Sequence, residues 1–361
     1  MSSISILKEQ KRALINRYAK PDNSSGLVQI LNTLLPYAAL WYAVALSAEV
    51  SYWLTAGVTL VMVLLLARIF VLMHECGHGS LFRTGRLNRG FGFVLGVLSG
   101  MPQYVWSQHH AYHHSTNGNW AKYRGPFVVD TVDDYAAMDE KRRRRYQFLR
   151  RIWMLPLHGF VYALFMPRYT WLKGSASLVW HVLTGRRAEF KTRYWNSPRE
   201  YWHMTWNNIV LLSLWLVMSL AIGPELFFAV YVASLSLATA VGLTLFTVQH
   251  NFEHSYASSD EGWDYDTAAI EGTSFLVLPG WLNWFTASIG YHHIHHLSAS
   301  IPNYRLAECH AENQQLFSAV TRVRLSEIPK ALSYILWDTR ARRIISVAEF
   351  EAQAAAAAAA V

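Results

Sequence analysis

Cysteine and charge are both scarce in this chain of 361 residues, which has two cysteines, Cys76 and Cys309, and only 16% Asp, Glu, Lys and Arg. Two distant cysteines exclude a disulfide framework, cannot by themselves hold an iron–sulfur cluster, and are expected as free thiols. So little charge, beside 52% hydrophobic and 14% aromatic residues, excludes an ordinary soluble enzyme and places the chain in a bilayer. Residues 1–20 have charges but no apolar core followed by a small-residue cleavage site, so no cleavable signal peptide is expected. No internal repeat is evident, and the alanine run 354–360, in the tail 351–361, is set aside as frayed or appended.

What is present is long apolar runs. Residues 52–73 and 226–248 are each long enough to cross about 30 Å of hydrocarbon, at roughly 20 residues per crossing. Each has a weaker partner before it: 27–46, interrupted by Gln29, Asn32 and Pro36, and 206–223. The reading is an all-α integral membrane protein, with four spans in two hairpins and a cytoplasmic helical cap, 107–205 and 249–350. The turns at 48–51 and 223–225 lack Lys and Arg and are expected outside, whereas 121–204 holds 16 Lys and Arg against 7 Asp and Glu, including Lys141–Arg145. With a basic N-terminal arm, 1–26, this puts both termini on the cytoplasmic side of the cell's inner membrane. The net charge of +8 is then topology and attraction to anionic lipid, and nucleic-acid binding is not expected. The apolar stretch 91–106 is too short to span and reads as re-entrant or interfacial; 275–285 reads as an interfacial aromatic helix.

Twelve of the sixteen histidines fall into four groups: His74 and His78; His109, His110, His113 and His114; His250 and His254; His292, His293, His295 and His296. All four are expected at the cytoplasmic ends of spans or in cytoplasmic segments. Histidine is seldom retained there without a role. At about 100° per residue, His110, His113 and His114 fit one helical face, as do His292, His295 and His296; His109 and His293 fall outside those arcs. The isolated His158, His181, His203 and His310 are assigned no role. One catalytic zinc needs three protein ligands, whereas eight to ten imidazoles suit a two-metal site. Ligand type alone leaves zinc, copper, iron and nickel open.

The ordered boxes HECGH at 74–78, HHAYHH at 109–114 and HHIHH at 292–296, between paired apolar hairpins, resemble the membrane fatty acid desaturase family. QHNFEHS from Gln249, EGWDYDTAAIEG from Glu261 and GYHHIHHLSASIPNY from Gly290 are similar to its acyl-lipid branch, particularly bacterial desaturases of membrane phospholipids. The likeness runs from about residue 26 to 350, and the desaturase domain is put at 27–350. It implies a non-haem di-iron centre ligated by His74, His78, His110, His113, His114, His292, His295 and His296. The ninth ligand would be His250 or His254; the family favours His250, after the glutamine. Glu75 would accept from a ligand imidazole; His109 and His293, which the spacing puts outside the arcs, are read as outer partners or surface residues, with ligation left open. The implied reaction is O2-dependent removal of two hydrogens from neighbouring methylenes of a phospholipid acyl chain, with electrons from a ferredoxin or flavodoxin-type donor.

Three rivals predict other features. A hydroxylase of the same family would share the boxes and differ only in the second step. An intramembrane zinc metalloprotease would use H-E-x-x-H at 74–78 with Glu75 as general base, and would leave both H-x-x-H-H triads without a purpose. A metal transporter would place its ligands near the membrane midplane.

Overall fold

Four helices among the described residues, 3–185 and 194–359 of this computed structural model, are long and apolar enough to cross a membrane. Helix α1 (Ser3–Tyr18) precedes the first two, α2 (Asn23–Val50) and α3 (Tyr52–His78). Next come α4 (Gly85–Leu98), α5 (Gln103–Thr116), α6 (Val132–Ala136), α7 (Glu140–Leu149), α8 (Leu155–Gly159), a π-helical stretch Phe160–Phe165 and α9 (Met166–Leu183). The second pair of spans is α10 (Pro198–Ile222) and α11 (Pro224–His250). Shorter helices follow: α12 (Tyr265–Glu271), α13 (Gly280–Phe285), α14 (His292–Leu297), α15 (Asn303–Glu312), α16 (Ile328–Ala331) and α17 (Val347–Ala359). Arg186, Arg187, Lys191 and Arg193 of the basic segment, and Ala360 of the tail, lie outside the described residues.

Caps rather than hydropathy set the ends of the spans, which therefore run longer than their apolar cores. Asp22 accepts the Ser25 N–H at 2.7 Å to start α2. Extended Ser51 closes α2, and its hydroxyl accepts the Trp53 N–H at 3.2 Å to start α3. Gly79, left-handed at φ 72°, stops α3 immediately after His78. Pro198 and Pro224 open α10 and α11 at the position where a missing N–H costs nothing.

The chain divides into two units. One comprises residues 21–110 and 156–242. In it α2 packs on α3, and the buried Arg68 of α3 donates through Nε to Thr33 Oγ1 at 2.9 Å and through Nη2 to Gln29 Oε1 at 3.3 Å. Gln29, one of the polar interruptions of α2, thus serves with Thr33 a charge buried in a span. Gly159 is required by close approach, since a Cβ there would sit 2.2 Å from the Ser236 carbonyl oxygen. Arg168 Nη1 donates to the carbonyls of Gly100 and Ala163, both at 2.6 Å. Gly100, at φ 68°, lies in the turn between α4 and α5, where backbone groups need partners other than a helix can give.

The other unit comprises residues 1–20, 111–155 and 243–361. Leu7, Leu14 and Tyr18 of α1 are buried with Ile270 of α12, Ile294 and Leu297 of α14 and Cys309 of α15. Five short strands are described: β1 (Asp130–Thr131), β2 (Phe275–Val277), β3 (Arg322–Arg324), β4 (Tyr334–Asp338) and β5 (Arg343–Ser346). β4 pairs parallel with β1 and antiparallel with β5, and β2 pairs parallel with β3, Leu276 opposite Val323. The expectation of a helix over 275–285 is therefore corrected. Phe275–Val277 is strand, and only Gly280–Phe285 is helical, because Pro279 lacks an N–H and disfavours helical geometry before it. Cys76 and Cys309 are both buried free thiols.

Candidate metal centre

The first histidine box occupies the last turn of α3. His74 and His78 are i and i+4 on that turn, and their Nε2 atoms face each other at 3.2 Å. His110 of α5 joins them, with ring centroids 4.6 Å from His74 and 5.0 Å from His78. The ligand nitrogens of these three lie within 4.8 Å of one another. His74 Nδ1 meets Glu75 Oε1 at 3.1 Å, and Ser80 Oγ donates to Glu75 Oε2 at 2.9 Å. With its Nδ1–H on that fully buried carboxylate, His74 turns its Nε2 lone pair inward. Asn88 fixes the loop behind the box, donating to the Gly79 and Phe82 carbonyls and accepting the Phe82 N–H.

The second group lies wholly in the other unit. His113 of α5, His250 at the end of α11, and His292 and His296 of α14 are all buried, and their ligand nitrogens lie within 4.8 Å of one another. His292 Nε2 is 3.0 Å from His250 Nε2, and His113 Nε2 is 3.3 Å from His296 Nε2. His250 Nδ1 faces the Gly272 carbonyl at 3.3 Å, which fixes the tautomer that leaves Nε2 free to ligate. Burial, followed by the neighbouring His114, His292, His250 and His113, holds His296 well below the usual imidazole range, so it stays neutral. Neutral imidazoles are the form a metal takes. In the same unit His114 Nε2 meets His295 Nε2 at 3.0 Å.

These spacings fit metal ions. Nitrogens about 2.1 Å from one ion, at angles between about 90° and 109°, are about 3.0 to 3.4 Å apart. Facing Nε2 atoms at that separation either share a proton in an N–H···N bond or turn both lone pairs on one cation, and the donor chemistry suits iron as well as zinc or copper.

Three sequence candidates stand apart. His109 is exposed on α5; His254 is exposed after the end of α11 at φ 64°. His293 is buried but turned away, its Nε2 3.1 Å from His310 Nδ1 and its ring against Phe317. His310, assigned no role from sequence, is thus the partner of His293. Sequence reasoning also passed over the residues that wall the ligands. Trp106 stacks on His110 at 4.6 Å and 14°, held by its Nε1–H on Tyr162 Oη at 3.0 Å. Phe246 lies 4.8 Å from His250 and 4.9 Å from His113. Each stands four residues before a clustered histidine on its own helix, the helical spacing that would have revealed it. Tyr265 Oη donates to the His296 carbonyl at 2.7 Å.

Four helices long and apolar enough to cross a membrane, and clusters of buried and half-buried imidazoles able to hold metal ions, mark a membrane protein with a candidate metal site. A family model described as fatty acid desaturase matches residues 50–324. The chain is 33% identical over 349 residues to a fatty acid desaturase of Bacillus subtilis, covering 96% of this chain and 93% of that one. It is 25% identical over 293 residues to an sn-1 oleoyl-lipid 12-desaturase of Picosynechococcus, covering 78% and 75% respectively. An omega-3 desaturase of the endoplasmic reticulum of Vigna radiata is 29% identical over 248 residues, 66% of this chain and 59% of its own. The chain belongs to the fatty acid desaturase family and is an oxidoreductase.

Proposed function

We propose that the chain is an O2-dependent acyl-lipid desaturase that introduces a cis double bond into acyl chains of membrane phospholipids, through a desaturase domain over residues 27–350. The observation that carries this reading is the closed set of four buried imidazoles, His113, His250, His292 and His296, with their Nε2 atoms convergent. In this reading they hold one iron, and His74, His78, His110, His114 and His295 complete the ligand set of a non-haem di-iron centre. Bound iron supplies the reduction of O2 and the oxidising power to take hydrogen from an unactivated methylene. The protein's own contribution is orientation and dryness. Glu75 and the Gly272 carbonyl fix the tautomers of His74 and His250, while Trp106 and Phe246 wall the ligand rings against water.

Forming one double bond removes two hydrogens and reduces O2 to two waters, so two electrons and two protons come from outside. Two buried, separate thiols supply no redox cluster, which supports a ferredoxin or flavodoxin-type donor. The distribution of Lys and Arg supports an inner-membrane location with both termini and the active site cytoplasmic. The test is the purified chain in vesicles of phospholipid with deuterated saturated acyl chains, supplied with iron, O2 and a reduced ferredoxin. Unsaturated product still esterified to phospholipid is expected. Desaturation confined to an added acyl-carrier thioester would contradict the lipid substrate, and hydroxylated chains would move the reaction to a hydroxylase.

A further inference from the structure

We infer that α7 and the turn after it form a docking surface for anionic phospholipid headgroups. Residues 139–153 carry seven cationic side chains against Asp139 and Glu140. Lys141, Arg144, Arg145 and Phe148 follow one another at the spacing that shares a helical stripe. The Arg142 and Arg144 side chains are 77% and 78% exposed. Asp139 and Glu140 neutralise these two from the same helix. Among the described residues, no ion pair engages Lys141 or Arg145. The opposite side of α7 is anchored in its own unit: Tyr146 is buried, donates to the Ile335 carbonyl at 2.6 Å and accepts the Asp130 N–H at 3.1 Å. The cationic side is thus held outward by the fold.

Cations alone would suit an acidic protein as well as a membrane. The exposed apolar side chains beside them decide for lipid. Phe148, Ile152 and Trp153 are 47%, 49% and 61% exposed, and Arg151 lies over the Trp153 ring at 5.2 Å. Aromatic and aliphatic side chains projecting from a basic segment are the composition of a surface that sits at headgroup level, rings inserted and guanidinium groups on phosphate. An open groove of about 490 Å³ bordered by Arg142, Arg145 and Arg150 against one carboxylate, Asp134, leaves room for a phosphate beside the stripe.

The test uses the full chain in bilayer nanodiscs, with Ile152→Cys carrying an environment-sensitive fluorophore; Cys76 and Cys309 are buried, so the label selects the new thiol. In phosphatidylcholine containing phosphatidylglycerol the label is expected to be blue-shifted and shielded from aqueous iodide, and in pure phosphatidylcholine to be wet. Lys141→Glu with Arg145→Glu is expected to reduce the shielded-to-wet ratio by roughly fivefold or more for each residue. Salt near 1 M, where the Debye length is about 3 Å, is expected to do the same without any substitution. A label equally wet in both lipids, or shielded only when an acidic electron-donor protein is added, would overturn the inference.

Discussion

Replacing Glu75 by glutamine probes the link between the first histidine box and its metal without changing side-chain volume. Glu75 is fully buried, and its carboxylate accepts from His74 Nδ1 at 3.1 Å and from Ser80 Oγ at 2.9 Å. The amide retains one acceptor oxygen, so the His74 tautomer survives if the amide orients correctly, but the negative charge behind the ligand is lost. Loss of such an outer partner typically weakens metal binding about 10–100-fold, which is about 1.4–2.7 kcal/mol. The assay is iron per chain, by mass spectrometry, across a chelator series for the parent and Glu75→Gln proteins in the same detergent. The expected result is a midpoint shifted by that factor with the helical content unchanged. Equal midpoints would refute the role assigned to Glu75. Unchanged iron together with loss of a peptide-cleaving activity would restore the general-base role.

Other substitutions separate the remaining assignments. His250→Ala is expected to abolish desaturation and lower iron content by more than the loss of an outer partner would, whereas exposed His254→Ala should stay within about twofold in activity, as surface changes do; fatty-acid analysis and iron content read both. Tyr265→Phe removes the hydrogen bond to the His296 carbonyl and is expected to cost about 1 kcal/mol in chelator resistance. Gly159→Ala forces a Cβ against the Ser236 carbonyl and is expected to destabilise by about 1–3 kcal/mol, read as a lowered melting temperature in detergent.

Much of this centre is legible in the chain because its information is local. His74 and His78 are one helical turn apart, and H-x-x-H-H puts three imidazoles within an arc of about 100°. The structure places His109 and His293 away from the clusters, as that angular offset implies. Capping chemistry is equally local: Ser51, Gly79 and Pro224 mark boundaries that hydropathy alone shortens. What escapes a linear reading depends on distant partners. Phe275–Val277 is strand because Arg322–Arg324 lies beside it, and no periodicity within three residues can announce that pairing. His293 meets His310 seventeen residues later, and the polar Gln29 makes sense only once Arg68 is seen to reach it. Spacing leaves His250 and His254 both open; the fold puts His250 at the end of α11 among clustered imidazoles and His254 on an exposed turn, which supports the proposal of His250 as the ligand.

The central claim is most directly tested by the fatty-acid profile of a bacterial host without desaturases that expresses this chain, beside a His113→Ala control, with double bonds located by derivatisation and mass spectrometry. New cis-unsaturated chains in the phospholipids that vanish in the control are the predicted result. An unchanged profile, with iron bound and a compatible reductant present, would contradict the assignment.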